Sequence, residues 1–180
     1  LLTAEPRGRN PCLMDALKRT GFAERTGRGI DRIFEGALNY GRPLPDYSRS
    51  NRRGVSVLLP RSVPDKAFVE LLAEERERSG KSMSLDGLLI LDKLKSERRC
   101  GFDVLSGSLD MSDQRLRTVL GQLTEAGLVE SAGVGARRTY MLGAKVYRRS
   151  GRAMEYVRQS DIDRVRYPEL IIELMHDRNQ

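Results

Sequence analysis

Between Ser112 and Gly127 the apolar residues Leu116, Val119, Leu120 and Leu123 recur at i, i+3, i+4 and i+7, so one narrow stripe of an otherwise polar segment faces inward. This spacing predicts a helix over 112–126. Ser112 caps its first amides, and Gly127 supplies the left-handed residue that ends it. Upstream, Leu85, Leu88, Leu89 and the apolar run Ile90 to Leu94 predict a strongly buried helix. Phe102, Leu105 and Leu109 then predict a short second one, and Asp110-Met111-Ser112 a tight turn. Downstream, Val129 to Ala132 and Thr139 to Leu142 flank a glycine-containing loop, Gly133-Val-Gly-Ala-Arg-Arg138. That pattern is a hairpin spanning 129–142 with two arginines at its tip. Helix, helix, turn, helix and two-stranded wing is the order of a winged helix-turn-helix.

The outward side of the 112–126 helix carries Gln114, Thr118 and Gly121, flanked by Arg115, Arg117 and Gln122. Such side chains hydrogen-bond base edges and phosphates and have no evident catalytic use. With Ser112 at the helix start and Arg137 and Arg138 in the wing, they form the candidate DNA-binding set. Lys81, Arg98 and Arg99 would add phosphate contacts, whereas Asp113 and Glu125 repel phosphate and argue against a purely electrostatic mode.

Before this block, Asn10 followed by Pro11 predicts a helix start, with Leu13, Met14 and Leu17 inward and Gly21 closing it. A second helix opens at Gly27-Arg-Gly29, with a stripe of Ile30, Ile33, Phe34, Ala37 and Leu38, and ends at Gly41; Val55 to Leu59 has the β-branched content of a strand. Val63 to Ser79 reads as a helix with Phe68, Leu71 and Leu72 on one side and a charged, solvated end at 74–78. Pro168 to Met175 reads as a C-terminal helix whose apolar face is Leu170, Ile171, Leu174 and Met175.

The 180 residues suffice for one or two small domains and carry a formal charge of +7, which suits an anionic partner without naming one. The basic excess lies in 1–60 and 81–150 rather than in a tail. Cys12 and Cys100 belong to no pair-spaced motif, so neither a disulfide framework nor a zinc site is indicated, and a reducing cytoplasm is the expected compartment. No apolar run approaches the roughly 20 residues that span a bilayer. His176 is the single imidazole, Ser106 and Ser108 lack a histidine partner, and Gly27-Arg-Gly29 lacks the lysine and hydroxyl of a phosphate-binding loop. No enzyme activity, cofactor or metal is therefore expected. Starting without Met, the chain reads as a fragment of a longer protein.

Arg9-Asn-Pro11, Leu17-Lys-Arg-Thr-Gly21, Glu24-Arg-Thr-Gly-Arg-Gly-Ile30 with Arg32-Ile33, and Gly41-Arg-Pro-Leu-Pro45 together resemble a signature of bacterial transcriptional regulators of the Schlafen AlbA-type or RecG C-terminal-like family. The resemblance covers 7 to about 60 closely and the winged helix more loosely. It implies a nucleic-acid-binding or ATPase-like domain ending near this signature, then one or two winged helices.

The expected fold is α+β and mainly helical: a remnant of the AlbA/RecG-like domain over 1–62, a connecting helix over 63–80, a winged helix-turn-helix over 81–145, and a helical extension over 146–180 that resembles the start of a second winged helix. The expected partner is double-stranded DNA, with a homodimer plausible through the flanking helices and no membrane. The alternative is a docking or regulatory module of an ATP-linked or nuclease-like enzyme whose catalytic domain lies elsewhere.

Overall fold

Apolar spacing and capping residues account for most of the elements seen. A computed structural model describes residues 10–23, 28–109 and 111–150. Contacts divide the chain into two units after Asp65.

The first unit contains α1 (Pro11–Arg19) and α2 (Arg28–Asn39). Asn10 caps α1 by accepting from the Leu13 amide at 3.1 Å, with Pro11 in the first turn. Leu13 is nevertheless exposed and α1 has no buried residue, contrary to the inward stripe expected there. On α2 the expected stripe is realised at Leu38, which is buried, and at Phe34, whose ring stacks on Tyr47 with centroids 6.1 Å apart; Ile33 is exposed. Gly41 ends this element with φ +63, a conformation that costs glycine little.

The strand expected over 55–59 reduces to one bridge, in which Asp46 and Leu58 exchange amide-to-carbonyl bonds at 2.9 Å each way. Local side-chain turns compete with a ladder here: the Ser48 amide donates to Asp46 Oδ1 at 2.7 Å, and the Arg53 amide to Asn51 Oδ1 at 2.8 Å. Val55, Val57, Leu58 and Leu59 remain exposed.

The second unit begins with α3 (Lys66–Ser79) and continues through α4 (Leu85–Glu97), β1 (Arg99–Gly101), α5 (Phe102–Leu109), α6 (Asp113–Glu125), β2 (Val129–Ala132), a 3₁₀ turn at Gly135–Arg137, β3 (Thr139–Leu142) and α7 (Ala144–Arg149). The three strands form an antiparallel sheet in the order β1-β3-β2, with Cys100 opposite Tyr140 and Ser131 opposite Tyr140 from the other side. Helices α4, α5 and α6 pack with this sheet around Leu88, Ile90, Leu91, Leu94, Leu105, Leu116, Leu120, Leu128 and Val129, all buried. Burying a leucine of this kind stabilises by roughly 1.5–3 kcal/mol. This is a winged helix-turn-helix within a mainly helical α+β chain.

Two features of the second unit also depart from the sequence expectation. The sheet has a third strand, β1, entered through Arg98 at φ +66, a left-handed position that is strained for a side-chain-bearing residue. The charged end of α3 is also paired rather than simply solvated. Glu75 is only 6% exposed and is held by Arg78 and, at 3.7 Å, by Lys145, while Arg149 meets Glu74 and, at 3.6 Å, Glu70. Helix α3, expected as a connector, is thereby fastened to α7 within the second unit. The residues Arg9, Glu24, Arg25, Gly27 and Asp110, the C-terminal helix at 168–175 and His176 lie outside the described residues.

Candidate nucleic-acid interface

Helix α6 is amphipathic by construction. Leu116, Val119, Leu120 and Leu123 are all buried, which fixes the opposite edge outward. Gln114, Thr118, Gly121 and Gln122 are exposed on that edge. Ser112 caps the helix, its hydroxyl accepting from the Arg115 amide at 3.4 Å, and Gly127 closes it at φ +69. Ser112, Gln114, Arg115, Thr118 and Val119 line an open cleft of about 350 Å³ at the helix start.

The turn into α6 is stapled by Ser106 on α5, whose hydroxyl lies 3.0 Å from Asp113 Oδ1 and 3.3 Å from the Met111 carbonyl. Asp113, expected to repel phosphate, thus has a structural partner. Thr118 donates its hydroxyl to the Gln114 carbonyl at 2.9 Å, one turn back.

The two arginines of α6 are not free side chains. Arg115 forks onto Asp86 of α4, with Nη2 to Oδ1 at 2.8 Å and Nε to Oδ2 closer still. The Asp86 side chain is only 13% exposed, so this charge depends on its partner. Arg117 lies over the Phe102 ring at 4.4 Å from its centroid, a cation–π arrangement. The sequence linked neither Asp86 nor Phe102 to these arginines, because each meets its arginine only through tertiary packing; the separation from Asp86 to Arg115 is 29 residues.

At the wing, Gly133 at φ +84 and Gly135 at φ +62 shape a loop that ends in the 3₁₀ turn. A Cβ on Gly133 would sit 2.7 Å from the Arg137 carbonyl oxygen, so the loop needs glycine for space as well as for its backbone angle. Val134, Arg137 and Arg138 are all exposed on this loop. Of the additional basic residues, Lys81 and Arg98 are exposed, whereas Arg99 is partly buried with Nη2 3.7 Å from Met141 Sδ. Cys100 is buried in β1, and that burial, helped by nearby Glu97, pushes its thiol pKa up and away from reactivity. Among the described residues no cluster of His, Cys, Asp or Glu could hold a metal ion, and no helix is long and apolar enough to cross a membrane.

The family model described as "Putative ATP-dependent DNA helicase recG C-terminal" matches residues 1–59. No curated protein matches the chain. Among solved structures the chain is similar to the DIP2311 protein from Corynebacterium diphtheriae, with a TM-score of 0.58 and 18% identity over 80% of this chain and 29% of that one. This likeness is one of fold alone, and the chain spans less than a third of that protein's length. Lower overlaps are found with oxidized MarR from E. coli, at a TM-score of 0.35 and 16% identity over 65% of this chain and 84% of that one. A MepR-like protein crystallised with pseudoligands gives a TM-score of 0.35 and 18% identity over 59% and 80%. Nothing about function rests on these two.

Proposed function

We propose that the chain is a DNA-binding transcriptional regulator that lays α6 into the major groove of duplex DNA and rests the β2–β3 wing on the phosphate backbone. The observation that carries this reading is the two-sidedness of α6: its leucine and valine stripe is used up in the core, while Gln114, Thr118 and Gln122 face outward at its opposite edge. Arg137 and Arg138, exposed on the same hairpin loop, suit the phosphates that flank a groove, and Ser112 sits where the helix start would approach the backbone. Arg115 and Arg117 would contribute chiefly as charges near phosphate, since both guanidinium groups already have internal partners.

The resemblance of the N-terminal signature to Schlafen AlbA-type regulators supports the same reading, as does the net charge of +7. On this view the protein works in the cytoplasm as a binding module without cofactor. A homodimer would let two α6 helices read paired half-sites.

A second reading is favoured by the match of 1–59 to the model described as the C-terminal part of an ATP-dependent DNA helicase. The winged helix would then be a docking or regulatory module of an ATP-linked or nuclease-like enzyme. Replacing Arg137 and Arg138 together by alanine separates the two. A DNA reader loses duplex affinity and part of its salt dependence; a protein-docking module is indifferent.

A further inference from the structure

Guanine presents two acceptors in the major groove, N7 and O6, and the fork of an arginine is their most frequent partner. On α6 the fork of Arg115 is engaged by Asp86, and the guanidinium of Arg117 is held over the Phe102 ring. Withdrawing Arg115 from Asp86 would strand a carboxylate that is 13% exposed, and Arg117 is stacked on Phe102 at 4.4 Å. What the outward edge offers to bases is therefore Gln114, Thr118 and Gln122, at i, i+4 and i+8 with Gly121 leaving open space beside them.

Those residues have a chemical bias. The carboxamide of Gln114 carries a donor and an acceptor side by side, the complement of adenine N6–H₂ and N7. Thr118 has already given its O–H to the Gln114 carbonyl at 2.9 Å, so it retains a methyl group and a lone pair but no donor for a guanine acceptor. A methyl group at that position suits the C5 methyl of thymine.

Building on the DNA reading proposed above, we infer that α6 selects A·T over G·C pairs in the major groove. Asp86 is the specificity-determining residue behind this choice, because it holds Arg115 off the bases. It acts by positioning and touches no DNA itself.

The test uses the full chain. Wild-type protein is taken through rounds of selection from a random duplex pool, and its affinity is then compared for the best site and for the same site with the contacted A·T pairs changed to G·C. The expected preference for A·T is about tenfold or more. Asp86→Ala frees Arg115 and brings the two sites to within about threefold of each other, by adding a guanine contact. Gln114→Ala, altered at an exposed side chain, abolishes the preference. Selection of G·C by the wild type, or an unchanged preference in Asp86→Ala, overturns the inference while leaving DNA binding intact. Should Asp86→Ala fail to fold, an unchanged preference in Gln114→Ala overturns it alone. Absence of binding to every duplex at low salt overturns the inference together with the DNA reading beneath it.

Discussion

Glu130 on β2 accepts a hydrogen bond from the amide of Ala144 at 2.9 Å, so a wing strand caps the helix that follows the wing. Helix α7 has Gly143 before it, whose lack of a side chain leaves the capping of the Ala144 amide to Glu130. A carboxylate at the positive end of the helix also meets its dipole favourably. Glu130→Ala is therefore expected to lower stability by about 1 kcal/mol. Urea unfolding of the variant checks this; an unchanged midpoint would mean that the cap contributes nothing.

The corner next to this cap is closed by backbone. A Cβ built on Gly143 would lie 2.3 Å from the Gly127 carbonyl oxygen and 3.1 Å from its carbon, and the Gly143 amide donates to the Leu128 carbonyl at 2.8 Å. Backbone atoms cannot swing aside as a side-chain tip can. Gly143→Ala should thus cost on the order of 2–3 kcal/mol through overpacking, read as a lower thermal midpoint. Full stability in that variant would contradict the close approach of the end of α6 to the start of α7.

Acid should weaken the pairing of Glu75 on α3. Hydrogen bonding from Arg78, aided by the charges of Arg78 and Lys145, holds the Glu75 carboxyl below its ordinary value of 4.5 despite burial. A depressed folded value contributes stability that is complete above pH 4.5 and disappears as pH falls through the lower, folded value. Unfolding measured as a function of pH should show this acid-side loss. In Glu75→Gln that component of the slope should vanish, because glutamine does not titrate; an identical slope in the variant would exclude Glu75 as its source.

The helices of the second unit were readable because their signals are local. Ser112 caps α6 as its position suggests, and the stripe from Leu116 to Leu123 is buried as its spacing requires. Strand β1 escaped notice since three residues, Arg99 to Gly101, carry almost no periodicity and pair with Thr139 to Met141 far along the chain. The opposite error occurred at 55–59: β-branched residues favour a strand only where a partner strand is present, and the single Asp46–Leu58 bridge is no ladder. For the candidate interface, the sequence placed Gln114, Thr118, Arg137 and Arg138 correctly on the surface. It did not disclose that Arg115 and Arg117 are tethered, because no rule of spacing connects them to Asp86 and Phe102.

The claim that α6 and the wing form a duplex-binding surface is tested most directly by titrating the purified chain with random-sequence duplex at about 50 mM and about 200 mM salt. Binding at the lower concentration, weakened roughly tenfold to a hundredfold at the higher, is the predicted result for a surface that neutralises a few phosphates, with the slope reduced in Arg137→Ala and Arg138→Ala. No binding at low salt, or binding that ignores both the salt and the two arginines, would contradict it.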